Sequence, residues 1–201
     1  MRSVTTEDAG QPQPMYRGEH VYLAGIEPAD VVETARWICD AEIGHQLGIK
    51  SPISRDAAER FSKEMLGQIG SSMFGFSVKR LDDDRRIGSV TLRNLDRENG
   101  SAEVAIFISD PALLGRGYGT DAMRCMLDFA FGELRLERVE LGVFDYNPRA
   151  IRSYEKAGFQ TDAVLRHARF HRGAFHDIHV MSILRAEWLA QDRRRAWEGR
   201  S

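Results

Sequence analysis

The chain has 201 residues, 42% hydrophobic and 29% charged, an ordinary globular composition that suits one domain of about 150–180 residues plus tails. Its 28 basic and 30 acidic residues leave a net charge of −2, which speaks against nucleic acid or an anionic membrane as the main partner. No apolar run approaches the roughly 20 residues of a membrane span and no apolar N-terminal segment suggests a secretory signal, so the chain reads as cytoplasmic.

Residues 1–14 are polar, with two prolines and no periodicity, and read as a disordered tail. His20–Leu23 alternates weakly, as a first strand would. Pro28 suits the first turn of a helix whose apolar stripe is Val31, Val32, Ala35, Ile38 and Cys39. Asp40 to Ser54 has no clear period and reads as a functional loop. Ser54 then looks like the N-cap of a second helix, with Ala58, Phe61, Met65 and Ile69 on its inner face. Cys39 and Cys125 both sit in helical patterns and read as reduced, packed thiols.

The pattern next turns to strand. Phe74–Val78, Ile87–Leu95 and Ser101–Ile108 form an antiparallel meander, with turns at Asp82–Arg86 and Asp96–Gly100. A glycine-rich turn, Leu114-Gly115-Arg116-Gly117-Tyr118-Gly119-Thr120, follows. Ala122, Met123, Met126, Leu127, Ala130 and Phe131 then recur at helical spacing. Arg138–Phe144 alternates as a strand. Asn147-Pro148 opens a short helix running to about Lys156, and Gly158 ends it. Val164–His171 and Phe175–Leu184 make a hairpin about Arg172-Gly173. Residues 186–198 read as a terminal helix docked by Trp188 and Leu189. The whole reads as one mixed α/β domain over 15–201, without repeats or linkers.

A strand, a glycine turn and a helix start make an anion cradle, because the freed N–H groups and the helix dipole favour a phosphate. The turn is not a Walker A loop, since no Gly-Lys-Ser/Thr follows. Nor is it a dinucleotide fingerprint, since Thr120 stands where the third glycine would be. A ligand-free glycine turn is the bland alternative.

Two segments resemble the GCN5-related N-acetyltransferase superfamily. One is Ile106-Phe107-Ile108 through the glycine turn. The other, more specific, is Asn147-Pro148-Arg149-Ala150-Ile151-Arg152-Ser153-Tyr154-Glu155-Lys156-Ala157-Gly158-Phe159. The likeness spans roughly Tyr16 to Leu184. Trp37 with Asp40, and the closing hairpin, resemble the branch of ribosomal-protein N-terminal acetyltransferases and bacterial spermidine acetyltransferases. The resemblance implies a central twisted, mixed, mostly antiparallel sheet of six to seven strands flanked by helices. It also implies transfer of acetyl from acetyl-CoA to a primary amine by direct attack. The family's loop often begins with Gln or Arg where this chain has Leu114. That removes one side-chain contact and leaves the backbone cradle.

Residue by residue, the resemblance implies that the N–H groups of Leu114, Gly115, Arg116, Gly117, Tyr118, Gly119 and Thr120 hold the pyrophosphate, with Arg116 adding charge at the rim. Phe107 and Ile108 would lie beside the pantetheine arm, and Asn147 and Arg152 would contact the distal arm or the phosphates. Asn147 reads equally as a plain N-cap, and Arg152 as a solvated helix face. An alkyl amine costs roughly 4 kcal/mol to deprotonate at neutral pH, an α-amine only about 1. Glu103, a charge within an apolar strand, is the candidate base, acting directly or through water. Its alternative is to face solvent or pair with an arginine. Tyr154 matches the family's general acid. From a phenol of ordinary pKa, proton transfer to a thiolate is uphill by about 2 kcal/mol. Otherwise it is a tyrosine packed on its helix's inner face.

Asp40, Glu42 and His45 are candidate acceptor-binding residues on the loop. His167, His171, His176 and His179 crowd the closing hairpin, but strand alternation turns His176 and His179 to opposite faces, so no metal is expected. His171 or His179 could instead contact substrate. The partners are thus acetyl-CoA and an amine: a protein N-terminus, a small-molecule amine, a polyamine or an aminoglycoside-type acceptor. The first two are favoured because Asp40–Ser54 holds no acidic cluster. A non-catalytic acyl-CoA sensor and an unrelated nucleotide-binding domain are the rival readings. Monomer and homodimer both remain open, with the terminal helix and its Trp188 and Trp197 as a candidate contact.

Overall fold

The computed structural model describes residues 14–49 and 54–198, except the side chains of Val31, Ser62 and Met65. The expected tail at 1–13, Pro52 in the expected loop, and the expected inward faces of Val31 and Met65 lie outside what is described.

One sheet holds eight strands: β1 (Tyr16–Arg17), β2 (Val21–Ala24), β3 (Phe74–Arg80), β4 (Arg86–Asp96), β5 (Ser101–Ile108), β6 (Arg138–Phe144), β7 (Gln160–His171) and β8 (Ala174–Leu184). Their order is β1-β2-β3-β4-β5-β6-β8-β7. Only β5–β6 is parallel; the other neighbours run antiparallel. The sequence led to six or seven strands. The extra one is β1, a two-residue strand with too few positions to show alternation.

Among the described residues six helices flank the sheet: α1 (Pro28–Ile38), α2 (Ala41–Gln46), α3 (Arg55–Gly67), α4 (Tyr118–Asp128), α5 (Pro148–Ala157) and α6 (Arg185–Leu189). α4 supplies much of the core. Ala122, Met123, Met126 and Leu127, with Ala130 and Phe131 beyond it, are completely buried. They pack with Val78, Val90, Leu92 and Val104 of the meander. Burying each large side chain contributes roughly 2 kcal/mol. The helical pattern does not end at Asp128 but widens into a π turn over Phe129–Glu133. There the Phe129 ring meets Tyr16, Phe74 and Phe76 at 5.5, 5.2 and 5.1 Å.

A polar knot ties α1 to the sheet. The buried Asp30 carboxylate faces Arg86 Nε at 3.4 Å and accepts from the Ser77 hydroxyl. Arg86 also donates to Thr34 at 2.6 Å.

Several expectations are corrected. The stretch after Asp40 contains α2, because the Asp40 side chain caps it by accepting from Glu42 N and Ile43 N at 3.0 and 3.1 Å. Cys39 is exposed at the end of α1, so only Cys125 is a packed thiol. Val32 and Phe61 are exposed rather than inward. Ser54 does cap α3, accepting from Ala57 N at 3.2 Å.

The terminal helix stops at Leu189. The completely buried Asp128 carboxylate takes the Ala196 N–H, which a longer helix would bond within itself, at 2.7 Å, and anchors the segment further by accepting from the Arg193 guanidinium at 3.0 Å and the Trp188 indole at 2.8 Å. Trp188 is thereby spent inside the fold, while Leu189 is exposed.

Candidate active site

β5 and β6 pair only at their first positions: Ser101 with Arg138, Ala102 with Val139 and Glu103 with Glu140. Beyond these they part. β5 runs on beside β4 to Ile108, and β6 runs on beside β8 to Phe144. Among the described residues no strand bridges the facing edges of 104–108 and 141–144. Their peptide groups can serve an extended ligand that carries amides of its own. The gap opens into a cavity of about 880 Å³.

The glycine turn forms one wall. A short 3-10 turn, Pro111–Leu113, is started by Asp110, whose side chain accepts from Ala112 N at 2.9 Å. Gly115 and Gly117 then hold φ of +77° and +88°, where a side chain is strained. Gly117 is the N-cap of α4, so the first N–H groups of that helix and its dipole face the cavity. The start of α4 is fixed by Asp121, which accepts from the backbone of Glu19, His20 and Val21 at 3.0, 2.8 and 3.0 Å.

α5 forms a second wall. The Asn147 side chain caps it, accepting from Ala150 N at 3.2 Å, and Gly158 ends it at φ +107°. Thr120 of the turn and Ser153 of α5 share a hydrogen bond of 2.8 Å. Tyr154 projects from α5 into the cavity lining, its ring tilted against Phe159 at 6.0 Å. Among the described residues its hydroxyl makes no hydrogen bond. Burial pushes the phenol up to about 12, so it is protonated at every physiological pH.

Glu103 lines the cavity from β5, and both its oxygens are engaged: Oε1 by Arg93, its direct partner on β4, and Oε2 by Asn94 at 2.9 Å. Cross-strand register puts Glu103, Ala105, Thr91 and Gly75 on one face of the sheet. Gly75 abuts Ile26 and Ile69 there, so this is the face covered by the segments around α1 and α3. α2 adds Ile43, Gln46 and the following Leu47 to the lining.

Of the residues singled out in the sequence, Tyr154, Glu103, Phe107, Ile108, Leu114, Gly115, Gly117, Gly119, Thr120, Asn147 and Arg152 come together around this one cavity. Arg116 is exposed outside its lining. The Tyr118 ring is turned away, edge-on to His20 and beneath Arg80. Asp40 is spent as a helix cap, and neither it nor Glu42 lines the cavity.

His45 is instead part of a ring stack that fastens α2 to the hairpin. It lies 4.6 Å from Tyr146 and 4.8 Å from His171, and its Nδ1 is 2.6 Å from His171 Nε2. Burial lowers its pKa first, and Arg172, His171 and His176 lower it further. His171 is buried in this stack, and neither it nor His179 lines the cavity. His176 pairs with Asp145 at 3.0 Å. Among the described residues no three His, Cys, Asp or Glu side chains converge as a metal site would need, and no helix is long and apolar enough to cross a membrane.

Residues 20–160 match the model of the acetyltransferase (GNAT) domain. The chain belongs to the GNAT acetyltransferase family. Like other GNAT proteins it is an acyltransferase whose fold uses acetyl-CoA. It is 35% identical to the probable N-acetyltransferase YjcK of Bacillus subtilis, over 85% of this chain and 97% of that one. It is 28% identical to the putative ribosomal N-acetyltransferase YdaF of the same organism, over 85% and 94%. Its fold superimposes on the spermidine N-acetyltransferase of Vibrio cholerae, solved with CoA and spermine, with a TM-score of 0.75 and 26% identity over 84% of this chain and 98% of that one.

The residues fit that cofactor. The open edge of β5 suits an arm with amides, the glycine cradle suits a pyrophosphate, and Arg124, Arg152 and Lys156 supply positive charge in the wall. Lining residues missed in the sequence include Arg124 and Lys156 on the cradle side and Arg93, Gln46 and Arg149 on the other. Arg93 meets Glu103 only through the β4–β5 register, and a bulge between Arg93 and Asp96 keeps that register from being counted off the turn. Gln46 and Arg149 lie 103 residues apart and meet only through the fold.

Proposed function

We propose that this GNAT protein acetylates the amine of a protein N-terminus or a small-molecule amine, in preference to a polyamine. One observation supports the acceptor class. The carboxylate on the face covered by α1 and α3 that lines the cavity is Glu103, and it is already engaged by Arg93 and Asn94. Ile43, Leu47, Phe144, Gln46 and Arg149, which also line the cavity, bring no carboxylate to pair with a polycation. An α-amine costs only about 1 kcal/mol to deprotonate at neutral pH, so it needs little from a base.

Acetyl-CoA supplies an activated acetyl thioester. The chain's residues do the rest in this reading. The backbone of Leu114–Thr120 holds the pyrophosphate, β5 at Phe107 and Ile108 aligns the arm, and Asn147 and Arg152 contact its distal part. Asn147 does this with its amide nitrogen, since its oxygen caps α5. Glu103 orients the amine or a water beside it. Tyr154 donates a hydrogen bond to the departing sulfur. With the phenol pushed up to about 12, complete transfer to a thiolate of ordinary pKa is uphill by roughly 5 kcal/mol, so Tyr154 acts as a hydrogen-bond donor more than as a full acid. Residues 15–201 work as a single domain, in the cytoplasm where acetyl-CoA is available.

Similarity to the spermidine enzyme favours a second reading, a polyamine acceptor. CoA-thiol release against N-terminal peptides, small amines, aminoglycosides and spermidine separates the two. Turnover confined to spermidine would overturn the first. Acetyl-CoA binding without turnover on any acceptor would favour a sensor.

A further inference from the structure

α5 crosses the cavity with a basic stripe, Arg149, Arg152 and Lys156, spaced three and four residues apart so that they share one face. The stripe is not uniform in its surroundings. Ser153, beside Arg152, is bonded to Thr120 of the glycine turn, and Lys156 receives Arg124 of α4 on its carbonyl at 2.9 Å. These two cations therefore stand at the cradle side. Arg149 stands at the other end and reaches α2, donating to Gln46 Oε1 at 3.0 Å.

Arg149 is half-buried, lines the cavity, and has no carboxylate partner among the described residues. Arg93, the other cavity arginine on the acceptor side, is neutralised by Glu103. A guanidinium has five N–H donors in a planar fork, and Gln46 occupies only part of that set. Gln46 therefore aims the fork without cancelling its charge, and free N–H groups remain for an oxygen ligand. Phe144, Leu47 and Asn147, which line the cavity with it, bring no negative charge.

We propose that Arg149, aimed by Gln46, reads the acceptor through the carbonyl or carboxylate oxygen adjacent to its amine. The substrate class is then α-amino acyl compounds, either peptide N-termini or free amino acids. The inference rests on the α-amine reading above and sharpens it. The same fork repels a polycation, so it selects against polyamines as well as for acyl amines.

The test is steady-state kinetics of wild type, Arg149→Gln and Arg149→Lys with three acceptors, a short peptide amide, the matching free amino acid, and the amine of equal length lacking the carbonyl, and of wild type with spermidine as well. The expected result for Arg149→Gln is a rise of at least tenfold in KM for the two acyl acceptors, with kcat and the KM for acetyl-CoA within twofold. The carbonyl-free amine should be unchanged. Arg149→Lys should recover the free amino acid more than the peptide amide, because a point charge serves a carboxylate better than a neutral carbonyl. A rise in the KM for acetyl-CoA instead would assign Arg149 to a cofactor phosphate and overturn the proposal. So would an equal loss on all three acceptors, or no change. Wild type that acetylates spermidine and none of the acyl amines would overturn the α-amine reading itself. Intact acyl-amine turnover with an unaffected Arg149→Gln would overturn only this inference.

Discussion

The place a β-carbon on Gly18 would take is already filled by the carboxylate of Asp121. The contact lets Asp121 collect three backbone N–H groups from the β1–β2 turn while standing in the first turn of α4. Gly18→Ala should push that carboxylate out and forfeit those charge-assisted bonds, lowering stability by about 2–4 kcal/mol. A denaturant titration checks it, and an unchanged midpoint would refute the packing. Because α4 carries the glycine cradle at its start, the KM for acetyl-CoA should rise in parallel.

In the proposed reaction Tyr154 donates to the leaving sulfur, so Tyr154→Phe would remove that hydrogen bond and nothing that packs. It should cut kcat about 10–100-fold, or about 1.4–2.8 kcal/mol, with little change in either KM. Because burial raises the phenol to about 12, its proton stays on throughout the working range. The pH–rate profiles of wild type and variant should therefore have the same shape between pH 6 and about 10. A basic limb that disappears with the hydroxyl would contradict this assignment.

Gly117 holds φ +88° at the N-cap of α4. Gly117→Ala costs roughly 1–2 kcal/mol of backbone strain, or relieves it by moving the cradle N–H groups. Either outcome should raise the Kd of CoA about tenfold, measurable by calorimetry. The effect on the acceptor KM should be small.

His45 titrates below its ordinary value because it is partly buried, with Arg172, His171 and His176 adding to the shift. The sign follows from linkage. A lowered pKa means the unfolded chain binds the proton more readily, so this contribution is complete above about pH 6.5 and is lost as the pH falls through the folded value. Acidification from pH 7 to 5 should loosen the stack of His45, Tyr146 and His171. Hydrogen exchange over 41–49 reads the effect directly and should speed up more than in the rest of the chain. His45→Gln should flatten that dependence.

Long periodic elements were legible in the chain itself. β5 and β6 fall at Ser101–Ile108 and Arg138–Phe144 as read, and α5 opens at Asn147 and closes at Gly158, because alternation and capping are local signals. α2 was hidden, since six residues hold too little period and the Asp40 cap can be told from a loop acid only by its contacts. The terminal helix was read too long because charged residues such as Arg193 look like helix surface until Asp128, 65 residues away, claims them. The cavity walls followed the same division. The glycine turn and the Tyr154 segment announce themselves locally. The opposite wall does so less: Glu103 stands out as a charge in an apolar strand, but Gln46 meets Arg149 only through crossover and Arg93 meets Glu103 only through register.

The brief union of β5 and β6 has a mechanical consequence. Three residue pairs join five strands on one side to three on the other, so the sheet is two plates sharing a short seam. Whatever lies in the wedge and bonds to both free edges braces one plate against the other. Occupancy should then be felt as rigidity far from the ligand, and those amides of 104–108 and 141–144 that point into the wedge, rather than toward β4 or β8, should exchange more slowly when it is filled.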